Sequence, residues 1–142
     1  LLHTKTGKPM YKILLCLLLI TSNSVLASTT PFEGTWQLVS GEYLNEKKEI
    51  VTYQTLGINS QKVIGAQHFS FVSMAKGKFW GAGAGTYRYN KTKYIESPTM
   101  ASYPLEDGGE YTFRYQIKDG LWHNSRWHGN TRVEYEIWKR VE

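Results

Sequence analysis

The chain has 142 residues, with 17 Lys and Arg against 12 Asp and Glu, a net charge of +5, one cysteine and 14% aromatic residues. That length suits one compact domain, and a single cysteine excludes an internal disulfide framework. The basic balance does not argue for a nucleic-acid partner, because the cations are scattered and three of them fall in a removable leader.

Met10-Tyr11-Lys12, the uncharged run Ile13–Ile20, and small residues up to Val25 and Ala27 have the layout of a secretory signal peptide. The apolar run is far shorter than the ~20 residues a membrane-spanning helix needs. Residues 1–27 are therefore expected to be an upstream extension plus a signal peptide, starting at Met10 and cut after Ala27. Residues 28–142 form the single mature domain, with no membrane span. Removing Lys5, Lys8 and Lys12 with the leader leaves 14 basic against 12 acidic residues, a nearly neutral domain. Cys16 lies inside the apolar run and not at its end, so it is a poor lipid-attachment site. The mature domain then has no cysteine and must be held together by burial. The expected location is secreted or periplasmic.

In chain order, Thr35 to Leu44 and Glu49 to Tyr53 are predicted strands around an Asn45–Lys48 turn. Gln54 to Ser60 is less regular, a short helix or a lid-like loop. Lys62 to Ala66, His68 to Met74 and Phe79 to Tyr89 are further strands. A short strand begins at Tyr94, and Ser97 to Gly109 is a second irregular stretch. Tyr111, Phe113, Tyr115 and Ile117 then alternate with polar residues, the period of a half-buried strand. Asp119-Gly120 is a hairpin turn, Leu121 to Trp127 the return strand, and Gly129-Asn130 the next turn. In the last strand Val133, Tyr135 and Ile137 alternate with Glu134 and Glu136, which are expected to face water. Eight or nine short strands in consecutive hairpins predict an all-β, closed, up-and-down antiparallel barrel, which leaves no exposed edges.

Gly34-Thr35-Trp36 at the start and Arg140 on the last strand resemble the signature of the calycin superfamily, which includes lipocalins and fatty-acid-binding proteins. More narrowly, His68–Ser73, Lys78–Tyr87 and Glu136–Arg140 resemble small exported lipocalin-like proteins of Bacteroides-type bacteria, usually described as domains of unknown function. The resemblance implies a barrel closed at one end by Trp36, with Arg140 packed across its ring. The chain lacks the Thr-Asp-Tyr element of typical lipocalins and is shorter than most of them.

The candidate ligand-binding residues are Phe69, Phe71, Phe79, Tyr87, Tyr111, Phe113, Tyr115, His123 and Tyr135. The aromatics among them can line a cavity or fill it, since an eight-stranded barrel is wide enough for either. Gly81, Gly83 and Gly85 share the expected face of Phe79, Tyr87 and Tyr89. They either leave room for a flat ligand or accept side chains from a neighbouring strand. The histidines after Ala27 are His68, His123 and His128, without a metal-ligand spacing, so no metal or cofactor is expected. The first functional expectation is a non-catalytic carrier of a small apolar or amphipathic molecule. The alternatives are a packed barrel serving as an envelope or extracellular interaction module with a protein partner, and a haem-binding relative using His123.

Overall fold

The computed structural model describes residues 30–105 and 108–141. The extension and leader read in residues 1–27 lie outside the described residues. Among the described residues nine strands occur in chain order: β1 Gly34–Leu44, β2 Ile50–Thr52, β3 Ile58–Ile64, β4 His68–Ala75, β5 Lys78–Tyr89, β6 Lys93–Ala101, β7 Tyr111–Lys118, β8 Leu121–His128 and β9 Thr131–Arg140. A single helical turn, α1 Tyr53–Leu56, separates β2 from β3. Its N-cap is Thr52, whose side chain accepts from the Thr55 amide, and it ends at Gly57 in the left-handed region.

Successive strands from β3 to β9 pair antiparallel, and β1 pairs with both β3 and β9. The sheet thereby closes into an eight-stranded up-and-down barrel, with β2 as an extra strand on the second half of β1. The first irregular stretch resolves into α1 and the start of β3. Much of the second belongs to β6, which runs through Pro98 to Ala101.

The pairing of β1 with β9 sets Trp36 directly opposite Arg140. The Arg140 guanidinium lies 4.3 Å from the Trp36 ring centroid. It donates Nη2–H to the Pro31 carbonyl at 2.6 Å and Nη1–H to the Glu33 carbonyl. Trp36 donates its indole N–H to the Phe32 carbonyl at 2.6 Å. Residues 30–33 are thus tied across one mouth of the barrel, and Phe32 is driven into the bore. There it meets the rings of Tyr87, Tyr89, Tyr94, Tyr115 and Trp122 at 4.7–6.2 Å between centroids. Phe32, Tyr87, Tyr94 and Trp122 form the core with Trp36, Ile64, Phe69, Phe113 and Trp138, and Tyr115 packs against it. Each such side chain stabilises by roughly 1.5–3 kcal/mol on burial, the means by which a domain without disulfides holds together.

Candidate functional site

This aromatic plug fills only one end of the barrel. The other end holds a cavity of about 320 Å³. At ~30 Å³ per water molecule that is the room of about ten waters. Its walls combine aromatic rings (Phe71, Trp80, Tyr103 and Tyr111) with five charged side chains (Lys62, Glu96, Arg126, Glu134 and Glu136).

The charges sit inside because of strand parity. On β3, Ser60, Lys62 and Ile64 are buried while Gln61 and Val63 are exposed. On β9, Glu134, Glu136 and Trp138 share the inward face. The sequence-based expectation that Glu134 and Glu136 face water is therefore corrected. Trp138, packed in the plug, fixes the face of every second residue before it. Tyr135 accordingly points outward, where its hydroxyl bonds His123 Nδ1 at 2.8 Å and its ring lies under Arg132.

At the boundary between plug and cavity, Lys62 Nζ donates to Glu96 Oε1 at 2.8 Å, with both residues 4% exposed. The ammonium also lies 5.0–5.9 Å from the ring centroids of Trp138, Trp122, Phe71 and Tyr94. Burial alone would lower the Lys62 pKa, but the carboxylates of Glu96, Glu136 and Glu134 outweigh it and hold the group above its usual value. Closer to the open end, Arg126 donates Nε–H to Glu134 Oε2 at 2.8 Å. The Tyr53 hydroxyl donates to Glu134 Oε1 at 3.0 Å and to Glu136 Oε1 at 3.3 Å. Trp138 donates its indole N–H to Glu136 Oε2 at 2.9 Å. Burial, then the charge of Glu134, lifts the Glu136 carboxyl to about 7, even though Lys62 and the Trp138 bond oppose this.

Tyr53 reaches these carboxylates from α1, and its ring packs on Gly41, where any Cβ would collide with it. The helical turn after β2 therefore forms part of the cavity wall. Of the glycine series on β5, Gly83 accepts the rings of Phe71 and Tyr103, and Gly85 takes the close approach of the β6 backbone at Ser97-Pro98. Gly81 borders the cavity, and a Cβ there would make only an ordinary contact with the Ser102 hydroxyl at 3.5 Å.

Of the sequence-predicted residues, Phe71, Tyr111 and Phe113 line the cavity. Phe69 and Tyr87 belong to the plug, and Tyr115 packs against it. Phe79 is 60% exposed. The register skips Trp80 between the pairs Ser73↔Gly81 and Met74↔Phe79, so Phe79 falls on the opposite face from Gly81. His123 and Tyr135 lie on the outer face as a stacked pair. Sequence reasoning missed Lys62, Glu96, Tyr53, Arg126 and the plug residue Phe32. The parity of Trp138 was a usable signal for Glu136 and Glu134.

Fully buried Asn124 stands opposite Glu136 in the β8–β9 register. Neither of its amide atoms has a hydrogen-bond partner among the described residues. Among those residues, too, no cluster of three or more His, Cys, Asp or Glu is arranged to hold a metal.

Such an interior can desolvate an apolar group against aromatic walls while orienting a polar one by charge. A scan against protein-family models and a search of curated proteins find no match to this chain. The closed eight-stranded antiparallel barrel is compatible with a calycin-like fold.

Proposed function

We propose that this chain is a small exported lipocalin-like protein that holds an amphipathic small molecule in the barrel without transforming it. The observation that carries the reading is the cavity of about 320 Å³, floored by the aromatic plug and walled by rings and charges. That volume lies at the small end of ligand pockets, so the ligand is compact. The buried charges favour an amphipathic molecule over a purely apolar one, because desolvated ionic groups need polar partners. The leader pattern at Met10–Ala27 supports a secreted or periplasmic location.

Native mass spectrometry of the protein recovered from its own compartment tests this. The expected result is a retained small molecule in the wild type that is lost in Gly81→Leu, whose side chain would occupy the cavity. Empty wild-type protein at every condition that preserves the fold would count against the reading.

A second reading, an interaction module using the outside of the barrel, is favoured by the exposed ring of Phe79, at 60%. It predicts that Phe79→Ala abolishes partner capture without changing thermal stability.

A further inference from the structure

The cavity's charges do not balance. Among its described lining residues, three carboxylates (Glu96, Glu134 and Glu136) face two cations, Lys62 and Arg126. Lys62 is committed to Glu96 and Arg126 to Glu134. Among the described residues Glu136 is the carboxylate left without an ion-pair partner of its own. It receives one indole N–H and one long phenol bond, and a carboxylate can accept about four. The same cavity wall carries the rings of Tyr103, Tyr111, Phe71 and Trp80 among its polar residues. Tyr103 and Phe71 stack at 6.2 Å, and Tyr111 meets Tyr103 edge-on at 6.1 Å.

An unpaired carboxylate among π-faces is the complement of an organic cation. The ammonium finds an opposite charge and ring quadrupoles, while its apolar arm is desolvated by the same rings. A carboxylate ligand would meet the excess negative charge and would have to displace Glu96 or Glu134 from its cation.

We infer that the cavity selects a small primary or secondary amine carrying an apolar, preferably aromatic, arm, with Glu136 as the anchor for the ammonium. This inference rests on the carrier reading above and specifies its ligand class. The titration range of Glu136 agrees with it: a carboxyl that burial and Glu134 hold partly protonated near neutrality gives up that proton when a cation arrives. The groups facing it are Glu134 on its own strand, Lys62 on β3, Glu96 on β6, Arg126 on β8 and Tyr53 on α1.

Three probes with one arm and different heads test the inference by isothermal titration calorimetry on the full chain: phenethylamine, phenethyl alcohol and hydrocinnamate. Phenethylamine is expected to bind about tenfold to a hundredfold tighter than the alcohol, the gain of a charge-assisted bond, with hydrocinnamate weakest. Glu136→Gln keeps the shape. It should remove most of the amine's advantage over the alcohol, because the charge that distinguishes the two heads is gone. Tighter binding of the alcohol or hydrocinnamate than of the amine would overturn the amine assignment and leave the carrier reading standing. No binding of any probe to wild type, with Gly81→Leu indistinguishable from it, would overturn both. An amine advantage that survives in Glu136→Gln would overturn Glu136 as the anchor.

Discussion

Replacing Lys62 by methionine removes the cation that pairs with Glu96 inside the barrel and leaves an apolar stem among four rings. Lys62 and Glu96 are each 4% exposed and their ion pair is 2.8 Å long. Removing one partner of such a buried pair strands the other charge, at a cost of about 3–5 kcal/mol. Against a total stability of about 5–15 kcal/mol for a domain, that is a large fraction. In urea, with a slope of about 1–3 kcal/mol per molar, the midpoint should fall by at least ~1 M at pH 8. Two comparisons isolate the cause. Lys62→Met with Glu96→Gln should recover much of the loss, because the stranded charge is gone. At pH 5 the deficit of the single variant should shrink, because Glu136, with its carboxyl lifted to about 7, is already neutral and less uncompensated negative charge remains inside the barrel. A Lys62→Met protein within ~0.5 kcal/mol of wild type at pH 8 would refute the reasoning, as would a double variant less stable than the single one.

Gly85→Ala would drive a Cβ into the Ser97 carbonyl and to within 2.7 Å of the Pro98 Cα. It should therefore cost about 3 kcal/mol, at the top of the overpacking range. Gly81→Ala, whose Cβ meets only the Ser102 hydroxyl at 3.5 Å, should change stability by less than ~0.5 kcal/mol. Thermal denaturation of the two side by side checks the contrast. Arg140→Ala loses the stacking on Trp36 and two carbonyl bonds, for an expected loss of about 1–3 kcal/mol, with the Trp36 signal in near-ultraviolet circular dichroism reduced. Arg140→Lys should recover only part of this, because an ammonium cannot reproduce the planar fork. Gly41→Ala should lift Tyr53 off β1 and weaken its hold on Glu134 and Glu136, read as faster amide exchange across α1.

The architecture was readable because it rests on local patterns. Alternation along Tyr111–Ile117, the Asp119-Gly120 turn and the framing pair Trp36 and Arg140 all act through strand period and cross-strand pairing, which a sequence displays. The cavity was hidden by the same rule. Period-two reasoning takes the apolar face as the interior, and on β9 that choice turned Tyr135 inward and Glu136 outward. A barrel whose upper interior is charged inverts this preference, and only Trp138, bulky and of the same parity as Glu136, countered it. Lys62 was masked in the same way by Val63, an exposed aliphatic on the outer face. Phe79 failed for a different reason: a bulge at Trp80 reverses the face of every residue before it, and no residue type announces that bulge. Tyr53 comes from a helical turn whose approach depends on the bare backbone at Gly41, a tertiary contact beyond any local pattern.

The most direct test of a barrel sealed at one end and charged within the other is an NMR titration of the Glu136 side-chain carboxyl carbon. A midpoint near 7, shifting downward in Glu134→Gln, is the predicted result. A midpoint in the ordinary glutamate range near ~4.3 would put that side chain in water and contradict the account.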